Sequence, residues 1–181
     1  MCRREKNYVD DKICVRATFH KPEPQYPYEI IIDPKMSFGT GHHETTSTVL
    51  NALTNKTFEG KSVIDIGSGT GILAFYCHMR GASKIVATDF DPICIENGKE
   101  NQELNNINGI EWFLGDRKVL EGMTETYDIV IANINRNILL QDLDAYVACL
   151  NSNGFLFLSG FYKDDISLIT EKCNILGLNH V

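Results

Sequence analysis

Val63-Ile64-Asp65-Ile66-Gly67-Ser68-Gly69-Thr70-Gly71 is the stretch on which the reading of this chain turns. An apolar run carrying one acid ends in three glycines at alternate positions, and a periodic apolar segment from Ile72 to Met79 follows. The pattern predicts a strand, a tight turn and a helix. Glycines at such a turn permit positive φ and let a ligand approach bare backbone. The G-x-G-x-G spacing brings the third glycine one residue earlier than the dinucleotide fingerprint G-x-G-x-x-G. The next apolar run, Lys84 to Thr88, ends at Asp89. That acid lies about 20 residues past the first glycine, where nucleoside-binding α/β folds place a ribose-binding carboxylate.

Outward from this unit, strands and helices alternate. Strands are predicted at 62–66, 84–88, 110–114, 127–132 and 154–159, and helices at 43–53, 71–80, 92–104, 138–150 and 164–176. Asp91-Pro92 reads as an N-cap followed by proline in the first helical turn. The strands are short and almost continuously apolar, as in a parallel sheet buried on both faces. Right-handed crossovers then give a doubly wound α/β fold. Ahead of it, Ile13 to His20 alternates loosely until Pro22, Pro24 and Pro27 interrupt it, and 29–33 reads as a further short strand. Trp112, Tyr127, Phe155 and Phe157 fall in strand patterns and are expected in the core.

A length of 181 residues suits one domain. The net charge is −7, with no basic run beyond Arg3-Arg4, which argues against a dedicated nucleic-acid binder. The six cysteines form no C-x-x-C pair and no zinc spacing. They read as small buried hydrophobes in a reducing, cytoplasmic setting. No apolar run approaches the length of a membrane span, and no signal peptide opens the chain. His42-His43-Glu44 lacks the spacing of a metal site, so no metal is expected.

The residues resemble a known family. Strand–Asp–x–Gly–x–Gly–x–Gly, then Asp89, then Asp116 after the third strand, is similar to the class I S-adenosylmethionine-dependent methyltransferases. More specifically, Asp33-Pro34-Lys35-Met36-Ser37-Phe38-Gly39-Thr40-Gly41-His42-His43-Glu44-Thr45-Thr46 resembles the D-P-x-x-x-F-G-T-G-x-H-x-T-T signature of the bacterial ribosomal protein L-eleven (L11) methyltransferases. Val130 to Ile134 is similar to that family's V-A-N-I segment. The chain departs at His42-His43-Glu44, where the family has Thr-His-Pro, and at Asn135-Arg136, which bears on the acceptor side. The glutamine-directed relatives carry N-P-P-Y where this chain has Asn133-Ile134-Asn135-Arg136.

The resemblance implies a Rossmann-like fold with strand order 3-2-1-4-5. It implies S-adenosyl-L-methionine as cofactor, held by Thr46, Gly67, Gly69, Gly71, Asp89, Asp116 and Asn133. Asp65 would attract the cofactor's ammonium, and His43 would order the loop that closes the site. Asn133 is also the expected catalytic residue: its side-chain carbonyl would orient an amine for direct in-line methyl transfer, a step that depends mainly on positioning. A lysine, with a reference pKa near ~10.4, must lose a proton before it attacks, and no residue is singled out as base. The expected substrate is ribosomal protein L11, through lysine and α-amino groups. Other amine or amide acceptors, a nicotinamide-dependent oxidoreductase and a fragment that only binds cofactor are the competing readings.

The expected organisation is a lead-in over residues 1–28, following a substrate-recruiting domain, and a catalytic domain over 29–181 without the family's C-terminal antiparallel hairpin. Such a core would act poorly on the intact ribosomal protein. Its last strand, Phe155-Leu156-Phe157-Leu158, would be a bare edge that self-associates or borrows Ile13–Thr18.

Overall fold

The computed structural model describes residues 6–33 and 44–180. The signature from Pro34 to His43, with Phe38-Gly39-Thr40-Gly41 and His42-His43, lies outside the described residues, as do Cys2 and Arg3-Arg4.

The chain enters through a small sheet. β1 (Asn7–Val9) runs antiparallel to β2 (Ile13–Arg16), and β2 runs parallel to β3 (Tyr28–Ile31). Between β2 and β3 the proline-punctuated turn is closed by Arg16, whose guanidinium meets the Glu29 carboxylate at 2.9 Å and whose other nitrogen donates to the carbonyl of His20. The segment expected as a lead-in therefore carries two strands, and Val9, Ile13 and Val15 are buried in the same cluster as the main sheet. It does not reach the far edge of that sheet; the borrowing of Ile13–Thr18 by the last strand is corrected by this pairing with β1 and β3.

α1 (Glu44–Thr54) leads into the main sheet. Its strands are β4 (Ser62–Ile66), β5 (Lys84–Asp89), β6 (Ile110–Leu114), β7 (Tyr127–Asn133) and β8 (Leu150–Ser159). All are parallel, in the order β6-β5-β4-β7-β8, which is the expected 3-2-1-4-5. α2 (Ile72–Met79) and α3 (Pro92–Leu104) form the crossovers on one side. α4 (Arg117–Glu121), α5 (Arg136–Ala148) and α6 (Ile166–Ile175) follow β6, β7 and β8.

Two apolar layers result. Val63, Ile85, Ala87 and Ile131 face α1, α2 and the small sheet. Ile64, Val86, Val130 and Ala132 face Leu139, Leu143 and Tyr146 of α5, which recur at helical spacing. Both faces of the central strands are thus covered, as their unbroken apolar runs require.

Two boundaries differ from expectation for local reasons. The Asn135 side chain accepts from the Ile138 amide at 3.2 Å and starts α5 two residues early. At its far end the Tyr127 amide donates to the Cys149 carbonyl at 2.7 Å, which draws Leu150 into β8. Phe155 is also not core: it is 41% exposed on the edge strand, with the Lys56 ammonium 4.0 Å above its ring. Among the described residues β8 has no strand on its outer side.

Trp112 fixes how α3 lies on β6. Its indole N–H donates to Gln102 at 2.6 Å, and its ring occupies the place where a side chain on Gly98 would stand, 2.4 Å from an added Cβ. Helix propensity alone favours Gly98→Ala by roughly 1 kcal/mol, but overpacking costs about 1–3 kcal/mol. The packing effect is expected to win. Urea denaturation should show Gly98→Ala less stable than the parent; a more stable variant would mean that Trp112 yields freely.

Candidate active site

Open α/β sheets take ligands outside the carboxyl ends of their strands, where the strand order reverses. Here the chain builds outward from β4 through β5 to β6, then returns to the other side with β7 and β8. The reversal point lies between β4 and β7. Gly67 follows the end of β4, and β5 and β7 end at Asp89 and Asn133, so three segments distant in sequence reach one edge.

The turn after β4 has the backbone its glycines foreshadow. Gly67, Gly69 and Gly71 have φ of 69°, 54° and 85°. Side chains are excluded for steric reasons as well. A Cβ on Gly67 would stand 2.9 Å from the Ile134 side chain, and one on Gly71 would stand 2.6 Å from the Phe75 ring. The turn is stapled to the end of β5: the Thr88 carbonyl accepts from the amides of Gly67 at 2.8 Å and Ser68 at 2.9 Å, and Asp89 Oδ2 accepts from Gly69 at 2.9 Å.

Asp89 is thereby held on both oxygens, since Oδ1 accepts from the Asp91 amide at 3.0 Å. Burial pushes its carboxyl above the usual range, and the amides of Asp91, Gly69 and Phe90 offset part of that rise. A carboxylate oxygen has two lone pairs, so each can still accept a hydrogen bond from a ligand hydroxyl. Phe90, next in the chain, is a flat ring 72% exposed beside this carboxylate. Such a ring can stack on a planar base. Its sequence signal is an aromatic directly after a strand-end acid.

Asn133 and Thr46 are brought together from β7 and α1. The Asn133 amide nitrogen donates to Thr46 Oγ1 at 3.3 Å, while Asn133 Oδ1 is buried without a partner among the described residues. Ser68 Oγ, on the glycine turn, is likewise buried and unpartnered. An unpaired buried acceptor costs stability, and such groups persist where a ligand completes them.

Asp65 is a costly group in this place. It is 1% exposed, and among the described residues neither of its carboxylate oxygens has a hydrogen-bond partner of ordinary geometry. Burial raises its carboxyl to about 7; the Ala74 amide opposes this and the charge of Asp89 adds to it.

Asp116 follows β6 after Gly115. It is exposed, and its Oδ1 accepts from the Lys118 amide at 3.0 Å as the N-cap of α4. The backbone beside it is tied to the site, because the Gly115 amide donates to the Asp89 carbonyl at 2.9 Å. The polar departures Asn135 and Arg136 are engaged elsewhere, Asn135 as the cap of α5 and Arg136 with Asp165 at 2.9 Å. Among the described residues no cluster of histidine, cysteine or acid suits a metal, and no helix is long and apolar enough to cross a membrane.

This architecture has known counterparts. A family model described as ribosomal protein L11 methyltransferase (PrmA) matches residues 7–180. The chain belongs to the ribosomal protein L11 methyltransferase family. It is 48% identical to the ribosomal protein L11 methyltransferase of Phocaeicola vulgatus, over 98% of this chain and 64% of that relative. It is also 48% identical to that of Porphyromonas gingivalis, over 96% of this chain and 61% of that relative. The chain thus spans less than two thirds of the length of these curated family members. The crystal structure of ribosomal protein L11 methylase from Lactobacillus delbrueckii subsp. bulgaricus shares the fold, with a TM-score of 0.86 at 24% identity over 96% of this chain and 89% of that one.

The Asp65 carboxyl makes a prediction about pH. Its folded value, about 7, stands above the ordinary 3.8, so the folded state holds a proton that the unfolded chain has released. Stability is therefore lost as pH rises through that window. A rise of this size corresponds to roughly 4 kcal/mol at most. Urea denaturation at pH 5 and pH 8 should show the parent losing stability between the two. Asp65→Asn should flatten the difference by about 2–3 kcal/mol, and an unchanged pH dependence in the variant would remove Asp65 as its source.

Proposed function

We propose that this chain carries the methyl-transfer centre of an enzyme that uses S-adenosyl-L-methionine to methylate lysine side chains and the α-amino group of ribosomal protein L11. The family relationship supports the reaction class. The observation that carries the residue assignment is the unpartnered Asn133 carbonyl at the carboxyl edge of the sheet, beside the glycine turn.

The residues present fit the cofactor. Asp89 offers two oriented carboxylate oxygens to vicinal hydroxyls, and Phe90 a face for the base. The positive-φ turn from Gly67 to Gly71 leaves backbone open to the amino-acid part, and Asp65 is a buried acid whose ionised form an ammonium group would favour. When bound, S-adenosylmethionine supplies a methyl group activated by its sulfonium charge. Asn133 then acts on the acceptor. Its Oδ1 accepts a hydrogen bond from the incoming amine and so aims the nitrogen lone pair, while Thr46 keeps the amide from turning over. The contribution is orientation, which can be worth several kcal/mol.

Calorimetry with S-adenosylhomocysteine and with NAD tests the cofactor class. Binding of the first and not the second is expected; the reverse would point to a nicotinamide-dependent enzyme.

Two substitutions separate the roles. Asp89→Ala should weaken S-adenosylhomocysteine binding by about 1–3 kcal/mol, the value of lost charged hydrogen bonds. Asn133→Ala should lower turnover of ribosomal protein L11 by the full-length enzyme far more than it lowers cofactor affinity, since an amine-orienting group acts mainly in the transition state. Equal losses of binding and turnover would reassign Asn133 to cofactor binding alone.

A further inference from the structure

α3 carries asparagine at every fourth position, Asn97, Asn101 and Asn105, and all three face the outer edge of β3 and the residues that follow it. Asn105 Oδ1 accepts from the Ile31 amide at 2.8 Å, and its Nδ2 donates to the Ile31 carbonyl at 2.7 Å. One step along, Asn101 Oδ1 accepts from the Asp33 amide at 2.9 Å. Asn97 Nδ2 donates to the Asp33 carbonyl at 2.8 Å. The geometry explains the spacing. Four helical residues rise about 6 Å, and two extended residues advance about 6.6 Å, so side chains four apart meet backbone groups two apart. The helix thus serves the edge of β3 as a neighbouring strand would, through carboxamides that each offer donors and an acceptor.

Asn101 also reaches the glycine turn. It is fully buried, and while its oxygen holds Asp33 its Nδ2 donates to the carbonyl of Thr70 at 3.2 Å. Thr70 lies between Gly69 and Gly71. One carboxamide therefore joins the small sheet to the glycine turn. The turn's amides are held by β5 and by the turn itself, but glycine imposes few conformational limits of its own. A bond to the Thr70 carbonyl restrains it from the opposite side.

We propose that Asn101 is a positioning residue: it holds the glycine turn in the conformation that receives the cofactor, and it registers that turn against the backbone of Asp33. The turn-restraining part stands on geometry alone, and the cofactor part rests on the function proposed above.

The test compares Asn101→Ala with Asn105→Ala. Both remove a rung that holds β3, but only the first releases Thr70. Amide hydrogen exchange should show Gly67, Ser68, Gly69 and Gly71 exchanging about tenfold faster in Asn101→Ala, measured against amides of β4. In Asn105→Ala that ratio should stay within about twofold. S-adenosylhomocysteine affinity should divide in the same way, falling about tenfold in the first variant only. If Asn101→Ala does not fold, Asn101→Asp keeps an acceptor for the Asp33 amide while losing the donor to Thr70, and faster exchange in the turn is again expected. Unchanged exchange in the turn, or equal effects from both asparagines, would overturn the proposal. A parent protein that binds no S-adenosylhomocysteine would defeat the proposed cofactor and still leave the exchange result to decide the role of Asn101.

Discussion

Three successive amides of the turn after β4, those of Gly67, Ser68 and Gly69, are taken up by the end of β5: two by the Thr88 carbonyl and one by the Asp89 carboxylate. For neighbouring amides to converge on one strand end, the backbone must bend through the left-handed region, which ordinary side chains disfavour. The rest of the site follows from that bend. It brings Gly67 against Ile134, so the residue after Asn133 packs on bare backbone. It gives Asp89 a fixed orientation before any ligand arrives. It starts α2 at Gly71, with Phe75 against the turn. The strands supply the rigid frame, and the turn fixes bare backbone and the Asp89 carboxylate at its carboxyl edge.

The same arrangement carries an electrostatic cost. Asp65 and Asp89 end or nearly end adjacent strands, both are buried, and both carboxyls are raised by burial. Asp89 has amides to accept from, while Asp65 lacks partners of ordinary geometry. A buried carboxylate in this position is worse for the unliganded fold than an apolar residue of similar size. An arriving ammonium group reverses the balance, because a nearby positive charge favours the ionised acid. Binding and ionisation of Asp65 are then one linked event. On the function proposed above, the stability given up to bury this acid would become affinity for a cationic ligand.

Much of this was legible in the sequence. Continuous apolar runs identified the parallel strands, the glycine spacing identified the turn, and Asp91-Pro92 marked the start of α3, where the Asp91 carboxylate does accept from the Ile93 amide at 2.8 Å. These signals are local and depend on a few neighbouring residues. What escaped is non-local. β1 is too short to show a period and β2 alternates only loosely, and the pairing of β1 with β2 and of β2 with β3 is what makes them strands. Phe155 looked like core because its strand is apolar, but burial depends on what packs against that face. Asn97, Asn101 and Asn105 were visible as a helical stripe. A polar stripe ordinarily signals a solvated face, and only the position of β3 shows that this one is buried work for the backbone.

On the function proposed above, the acceptor side rests on Asn133 more than on the polar residues beside it. From the sequence, the departures Asn135 and Arg136 bore on the acceptor side. Asn135 instead caps α5 and Arg136 reaches Asp165, so both are committed to holding the start of the helix that follows. Ile134 is wedged between the glycine turn and Gly160, where an added Cβ would stand 2.4 Å from the Ile134 carbonyl oxygen. With residues 134–136 fixed on three sides, Asn133 has little freedom to follow a misplaced substrate. Its amide is held by Thr46, its backbone continues β7, and among the described residues its side-chain oxygen is the part left without a partner. On the function proposed above, a group so constrained would reward only an amine that arrives in the right place.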